Sequence, residues 1–117
     1  LDRYIKRHTP ENDIMLNCDD GSMHISPEMI VYCEAVGKKT HVHLQDKTLV
    51  CNMGISSMKN ILPEEFIFCH RSYIVNLRFM RSIGKANITI DSGDNLPLSR
   101  RLYKDVNEKF IQFYTKG

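Results

Sequence analysis

Short runs of alternating apolar and polar residues recur along the chain, and turn-forming residues separate them. A period of two is typical of half-buried β-strands. Three pairs of runs predict hairpins, at 14–18 with 22–25, 40–45 with 48–53, and 86–90 with 96–98. Single strands are expected at 30–36, 66–69, 73–75 and 80–83. The pattern therefore predicts a mainly β fold with antiparallel sheets.

The second hairpin has a register that its turn length predicts. A two-residue turn would place Leu44 opposite Leu49 and Val42 opposite Cys51. These four apolar side chains would then share one face of the sheet, because residues two apart lie on the same side of a strand. The other face would carry His41, His43, Val50 and Asn52.

Apolar residues spaced three and four apart predict two helices. The first covers 55–62 and ends before Pro63, since the residue before a proline avoids helical geometry. The second begins after Ser99, a favourable N-cap residue. Its apolar face consists of Leu102, Val106, Phe110 and Phe113. A single helical turn is also expected at 26–28, where a serine precedes a proline and a glutamate.

The length of 117 residues suits one domain with its own core. Residues 1–12 are charged and contain Pro10, so we expect a linker from a preceding domain, with the folded domain at 13–117. Because the first residue is Leu1 rather than methionine, we expect the chain to be part of a longer protein.

Composition narrows the possible functions only a little. The net charge is +2, so the basic residues must cluster if the chain binds nucleic acid. Apolar runs stay well short of the ~20 residues of a transmembrane helix, and a membrane partner is not expected. The four cysteines lie outside any Cys-x-x-Cys pair. We expect them to be free, buried thiols in a reducing cytoplasm.

A polar break interrupts the apolar stretch 66–77. It consists of His70, Arg71 and Ser72, with β-prone runs on both sides. A break held at both ends by buried strands fixes the positions of its side chains. Arginine is the side chain best suited to bind a phosphate or the edge of a guanine, so Arg71 is the first candidate for a nucleic-acid contact.

The residues around this break resemble a known family. The run Phe-x-Phe-Cys-His-Arg-Ser-Tyr-Ile-Val-Asn at 66–76, followed by Ile83 and by Leu98-Ser99-Arg100-Arg101, is similar to the LytTR DNA-binding domain of LytR/AgrA-type bacterial response regulators. The resemblance covers roughly residues 10–115. It implies small antiparallel sheets with a short helix between sheets and a C-terminal helix. It also implies that loops, not an inserted recognition helix, hold the DNA.

The resemblance implies two kinds of DNA contact for the polar and basic residues of these segments. The expected readers of base edges are Arg71, Arg101, Thr40 and Lys39. The expected phosphate contacts are Lys38, Arg78, Arg81 and Arg100. Arg100 and Arg101 also stand at the start of the last helix, where the helix dipole disfavours cations and favours anions. Two arginines at that position make better sense if a phosphate binds nearby.

The same resemblance implies the partners of the protein. It would bind double-stranded DNA at directly repeated sites, through loops that enter successive major grooves. It would be the output domain of a two-component response regulator that controls transcription in the bacterial cytoplasm. Phosphorylation of a receiver domain would promote a dimer on DNA. No cofactor is expected.

Two other functions remain open from the residues themselves. A β-rich module could bind a protein or peptide through exposed strand edges. A small hydrolase could use His70, although neighbouring residues on an extended chain, such as Cys69 and His70, point to opposite faces. A zinc site at His41 and His43 is not expected, because the predicted register places Cys51 on the other face.

Overall fold

The computed structural model describes residues 13–115, so the expected linker at 1–12 lies outside the described residues. Its strands are β1 (Ile14–Cys18), β2 (Gly21–Ile25), β3 (Ile30–Val36), β4 (Lys39–Leu44), β5 (Thr48–Cys51), β6 (Phe66–His70), β7 (Tyr73–Asn76), β8 (Met80–Ile83), β9 (Asn87–Ile90) and β10 (Asn95–Pro97). Its helices are α1 (Ile55–Ile61) and α2 (Tyr103–Thr115). Single 3₁₀ turns occur at Pro27–Met29, Leu77–Phe79 and Arg100–Leu102.

The strands form two antiparallel sheets. The larger sheet has seven strands in the order β2-β1-β5-β4-β3-β7-β6, and the smaller has three in the order β10-β9-β8. Each pair within them is antiparallel. The expected mainly β fold, with hairpins, antiparallel sheets and a C-terminal helix, is confirmed.

Two apolar cores lie on opposite faces of the seven-stranded sheet. Alternation along β6 and β7 divides their side chains, so Phe66 and Ile74 join the first core while Ile67 and Val75 join the second. Helix α1 contributes Met58 to the first core. The three-stranded sheet and Val106 of α2 complete the second. Strands β3, β6 and β7 are therefore packed on both faces.

The predicted register of the second hairpin is wrong by two residues. Val42 pairs with Leu49, and Thr40 pairs with Cys51. The connection is longer than the expected two-residue turn, and the amide of Leu44 donates to the carbonyl of Lys47 at 2.8 Å. Because a shift of two preserves the alternation, the predicted faces are nevertheless correct. The shift brings Thr40 into the core, opposite a buried cysteine.

A buried amide closes the junction between the two sheets. Asn76 is 0% exposed. Its Nδ2 donates to the carbonyl of Ile30 at 2.8 Å, and its Oδ1 accepts from the amide of Arg78 at 3.0 Å. The second bond caps the 3₁₀ turn that leads into β8. One of the two bonds is therefore local, and the other joins this side chain to β3.

We expect Asn76→Ala to lower the free energy of unfolding by about 2–4 kcal/mol, because it leaves a buried carbonyl and an amide without their partner. Urea titration followed by circular dichroism would measure the loss. Asn60→Ala is the matched control: Asn60 is exposed on α1, and its replacement should change stability by less than about 0.5 kcal/mol. Equal effects of the two substitutions would contradict this account of Asn76.

Candidate nucleic-acid interface

A β-bulge at Cys69 shapes the central stretch. Phe68 pairs with Ile74 and His70 pairs with Tyr73, so β6 has one more residue than β7 in this interval. An extra residue interrupts the ladder and turns its backbone groups away from the partner strand. The carbonyl of Cys69 accepts a hydrogen bond from the amide of Ser99 at 2.8 Å. The bulge thus joins β6 to the segment that starts the C-terminal helix.

The turn after the bulge is held from two sides. The amide of Ser72 donates to Nδ1 of His70 at 3.1 Å. The carbonyl of Ser72 accepts from the amide of Ala35, on β3, at 2.8 Å. Arg71 lies between these two fixed residues with its side chain exposed. Its backbone is therefore positioned by the sheet while its guanidinium group is presented to solvent.

The loop between β3 and β4 lies at the same edge of the sheet. Val36 pairs with Lys39, and the chain reverses at Gly37, whose φ of 63° is in the left-handed region that favours glycine. Because Ala35 also bonds to Ser72, the two turns are neighbours. The segments 37–39, 70–72 and 99–101 therefore lie side by side, and we call this surface the basic edge.

Arg100 and Arg101 form the helical end of the basic edge. Both are exposed on the 3₁₀ turn, where the amide of Leu102 donates to the carbonyl of Ser99 at 3.0 Å. They precede the first residues of α2, the end of the helix where the dipole is positive. The bond between Ser99 and Cys69 fixes their backbone against β6. Arg101 and Arg71 thus extend from adjoining segments.

The structure removes Thr40 from the candidates for base contact. Thr40 is 0% exposed, and its hydroxyl donates to the carbonyl of Met53 at 2.8 Å. The next residue, His41, lies on the opposite face of β4 and is partly exposed. Glu34 pairs with both His41 and Tyr73 across the sheet, so His41 lies one row behind the turns. Of these two residues, only His41 has a side chain accessible to solvent, so it replaces Thr40 as the candidate.

The two lysines of the loop differ in their surroundings. Lys38 is exposed at the turn. Nζ of Lys39 forms an ion pair with Asp19 at 2.9 Å, with both side chains about half exposed. An exposed pair of this kind contributes at most about 1 kcal/mol. Lys39 can consequently leave Asp19 and bind a phosphate at little cost in free energy. In the structure, however, its side chain is directed toward the end of β1 and away from Arg71.

Arg78 and Arg81 lie at the opposite end of the molecule from the basic edge. Arg78 follows the far end of β7, and its carbonyl accepts from the hydroxyl of Tyr114 at 2.7 Å, near the end of α2. The thirteen residues of α2 separate this point from the start of the helix by about 20 Å. Arg81 donates from Nη2 to the carbonyl of Asp91. Their expected phosphate contacts remain predictions.

Lys85 lies next to the 99–101 segment of the basic edge, and it was not among the residues predicted from the sequence. It precedes Ala86, whose carbonyl accepts from the amide of Leu98 at 3.0 Å, next to Ser99. A shallow cavity of about 620 Å³ is lined by Lys85, Ala86, Leu98, Arg100 and Tyr103. The signal was present in the sequence, since the predicted hairpin of 86–90 with 96–98 places residue 85 beside residue 99.

A polar network connects the strands behind the basic edge. Glu34 bonds through Oε1 to Nε2 of His43 at 3.0 Å, and its Oε2 accepts from the hydroxyl of Tyr73 at 3.1 Å. The rings of Tyr32 and His43 stack at 4.1 Å. Burial, followed by the neighbouring Glu34, raises the pKa of Tyr73 above its ordinary value. The network ties β3, β4 and β7 together on the face that carries His41.

The catalytic alternative has little support at Cys69 and His70. The thiol of Cys69 is buried, contacts the carbonyl of Tyr73 at 3.8 Å, and has its pKa raised to about 12 by burial. Nδ1 of His70 is occupied by the amide of Ser72. A buried, protonated thiol is a poor nucleophile. Within residues 13–115, no three side chains of the metal-binding types are grouped so as to hold an ion.

We expect the free energy of unfolding to fall as pH rises from about 9 toward 12. Burial raises the pKa values of Cys33, Cys51 and Cys69 to about 12 in the folded chain, whereas exposed thiols titrate near 8.5. The folded state therefore binds more protons over this range, and each thiol contributes a loss of up to about 1.4 kcal/mol per pH unit. Urea titrations with reductant at pH 7.5, 9.5 and 10.5 would measure it.

Cys33→Ala serves as the control for this pH dependence. The variant should be less stable at pH 7.5, because it leaves a small cavity, but its stability should fall less steeply above pH 9. Parallel declines in the variant and the parent chain would show that the Cys33 thiol does not contribute to the pH dependence.

The described part of the chain contains no helix that is both long and apolar enough to cross a membrane.

Comparison with known proteins shows which proteins the chain is similar to. The sequence profile of the LytTr DNA-binding domain matches residues 20–111. Transcriptional regulatory protein YpdB of Escherichia coli K12 is 36% identical over 77 residues, which are 64% of this chain and 32% of that protein. YpdB of Shigella flexneri matches equally well. The chain thus spans about a third of the length of these curated relatives.

A solved structure has the same fold. It is a LytTr DNA-binding domain of a methyl-accepting/DNA response regulator from Bacillus cereus, with a TM-score of 0.71 and 27% sequence identity. The match covers 86% of this chain and 96% of the other.

Proposed function

Since the chain belongs to the LytTr DNA-binding domain family, we propose that its basic edge reads a specific double-stranded DNA sequence as the output domain of a response regulator. Family membership makes the chain a DNA-binding domain of a transcription regulator. This family binds DNA and is not enzymatic, and we propose that the whole protein is a regulator rather than an enzyme. The observation that carries the proposed site is the pair of hydrogen bonds, Ala35 to Ser72 and Ser99 to Cys69, that join its three segments.

In the proposed mechanism, phosphate contacts hold the domain in place. Lys38, Arg100 and Lys85 are exposed at the basic edge and neutralise phosphates on the two sides of the reading residues. Contacts of this kind fix register and orientation without selecting a sequence. Lys39, which the sequence placed among the base readers, joins these phosphate contacts instead when it leaves Asp19, because its side chain is directed toward Asp19 and away from Arg71. Arg78 and Arg81 reach phosphates only if the DNA bends toward the far end of the domain.

Arg71 and Arg101 read the bases. A guanidinium group forms two parallel hydrogen bonds with O6 and N7 of guanine, which distinguishes that base in the major groove. His41 replaces Thr40 as the third reader, because its side chain lies on the exposed face of β4. Its imidazole can donate to a purine N7 or accept from an amino group.

The dimensions of the basic edge fit two grooves. The turns at 37–39 and 70–72 are separated by two strand spacings, about 10 Å. The start of α2 lies beyond β6, at a distance of about the width of one more element. A row of about 20 Å, extended by long side chains at both ends, approaches the ~34 Å repeat of the double helix. We therefore propose that the loop at 37–39 and the start of α2 enter successive major grooves, and that Arg71 enters one of the two.

The remaining parts of the proposal concern the full-length protein. A receiver domain precedes this domain, its phosphorylation promotes a dimer, and the dimer binds directly repeated sites in the bacterial cytoplasm. Three facts support this. The chain covers only about a third of its curated relatives, these are named transcriptional regulatory proteins, and the solved neighbour comes from a response regulator.

We expect Arg71→Ala and Arg101→Ala each to weaken binding to the selected DNA by about tenfold or more, because one bidentate contact contributes about 1–3 kcal/mol of discrimination. Each variant should also tolerate a base change at its own position. Selection from a random double-stranded pool, followed by gel-shift titration, would measure both effects.

Lys47→Ala is the matched control for these substitutions. Lys47 is exposed in the turn at the other end of β4 and should bind the same sites with unchanged affinity. The site assignment fails if both arginine variants select the parental sequences with parental affinity.

We expect Lys85→Ala to reduce the salt dependence of binding. Loss of one phosphate contact should make the slope of log K against log salt concentration shallower by about 0.9, with similar weakening on every sequence. Fluorescence anisotropy between 50 and 300 mM salt would measure the slope, with Lys47→Ala again as the reference. An unchanged slope would place Lys85 outside the interface.

A further inference from the structure

His70 closes the Arg71 turn through a single ring atom. The bond from the amide of Ser72 to Nδ1 of His70 connects a side chain to the backbone two residues later. Asparagine and aspartate commonly close turns in this way, with their Oδ1 atom as the acceptor. In His70 the Nδ1 atom occupies the equivalent position, since both atoms are bonded to Cγ.

The ring of His70 is restrained by its neighbours. It is partly buried and lies edge-on to Tyr73, with ring centroids 5.8 Å apart and an angle of 76° between the planes. Tyr73 is itself held by Glu34 on β3. The imidazole therefore stays beneath the turn and keeps Nδ1 directed at the amide of Ser72.

This geometry requires Nδ1 of His70 to be unprotonated. A backbone amide donates only, so its partner must accept, and the neutral ring then carries its proton on Nε2. A protonated imidazole has an N–H at both positions, and two donors would face each other 3.1 Å apart. The turn must then open, and the backbone of Arg71 loses one of its two fixed neighbours.

Charged groups surround this ring on each packed element. Arg71 is on the same turn, Arg100 and Arg101 are on the segment bonded to β6, and Tyr73 faces the ring from β7. On β3, the carboxylate of Glu34 already binds Tyr73 and His43.

We infer that His70 is a positioning residue for sequence reading, and that specific DNA recognition weakens when its Nδ1 atom is protonated. This inference rests on the proposed function. His70 itself makes no base contact in this mechanism; it acts through the amide of Ser72 on the direction of Arg71. An unperturbed histidine changes its charge between about pH 5 and 8, which sets the pH range of the test.

Two substitutions test the hydrogen-bond acceptor at residue 70 independently of the imidazole ring. His70→Asn keeps an acceptor at the position of Nδ1 but cannot be protonated in this range. His70→Gln has the same amide one bond further away and cannot close the turn. Affinities for the selected site and for an unrelated duplex would be measured at pH 7.5 and 5.5. The ratio of the two removes any change in DNA affinity that pH produces equally on both duplexes.

In the parent chain, we expect this ratio to fall by about fivefold or more between pH 7.5 and 5.5, the effect of one lost hydrogen bond. His70→Asn should keep a high ratio at both pH values. His70→Gln should have a low ratio at both. The inference is overturned if the glutamine variant discriminates like the asparagine variant, or if the asparagine variant follows the pH dependence of the parent chain.

A measurement without DNA keeps this inference distinct from the proposed function. Nitrogen-15 NMR of the imidazole should show an unprotonated Nδ1 and a protonated Nε2 in the free domain at pH 7.5. The opposite tautomer would refute the role of His70 even if the domain binds DNA. A correct tautomer in a domain that selects no DNA sequence would instead refute the proposed function, and recognition by Arg71 with it.

Discussion

The bulge at Cys69 is the constraint on which the interface depends. In a regular ladder, the carbonyl of residue 69 would be directed along the sheet, and β6 and the start of α2 would have no direct backbone bond at this point. One additional residue turns that carbonyl toward Ser99. It also shortens the turn of the hairpin: His70 pairs with Tyr73, and only Arg71 and Ser72 remain between the strands. The same local irregularity therefore fixes two of the three segments of the basic edge.

The strands behind the basic edge are well packed, and this packing supports the positions of its side chains. Recognition of a base by an arginine depends on positioning within about 0.5 Å, which requires a supporting layer of packed and hydrogen-bonded residues. Here β3, β6 and β7 are packed by cores on both faces. The bonds of Glu34 to His43 and Tyr73 then connect β3 laterally to β4 and β7. Loops carry the side chains proposed to read bases, but the ends of these loops are anchored in strands packed on both faces.

The sequence predicted strands and faces well, because a period of two survives small errors in register. Leu49 and Cys51 were assigned to the correct face although the predicted turn was two residues too short. The predicted alternation already places Thr40 on the core face and His41 on the other face, and the true register adds that Thr40 opposes Cys51 inside the core. Turn length depends on backbone bonds such as Leu44 to Lys47, which composition does not reveal. The bulge at Cys69 was equally invisible, whereas Lys85 could have been found from the predicted third hairpin.

The low net charge of the chain is consistent with a reader of sequence rather than a general DNA-binding protein. A charge of +2 gives little long-range attraction, so the cations of the basic edge act mainly at short range, within the ~8–10 Å Debye length of physiological salt. Asp19 offsets part of the charge on Lys39 until DNA replaces it. Affinity for an arbitrary duplex is thereby kept low, since electrostatic contacts supply nearly all non-specific binding. Discrimination must then come from side chains whose directions are fixed before DNA arrives, which is the role of the bonds from Ser72 to Ala35 and to His70.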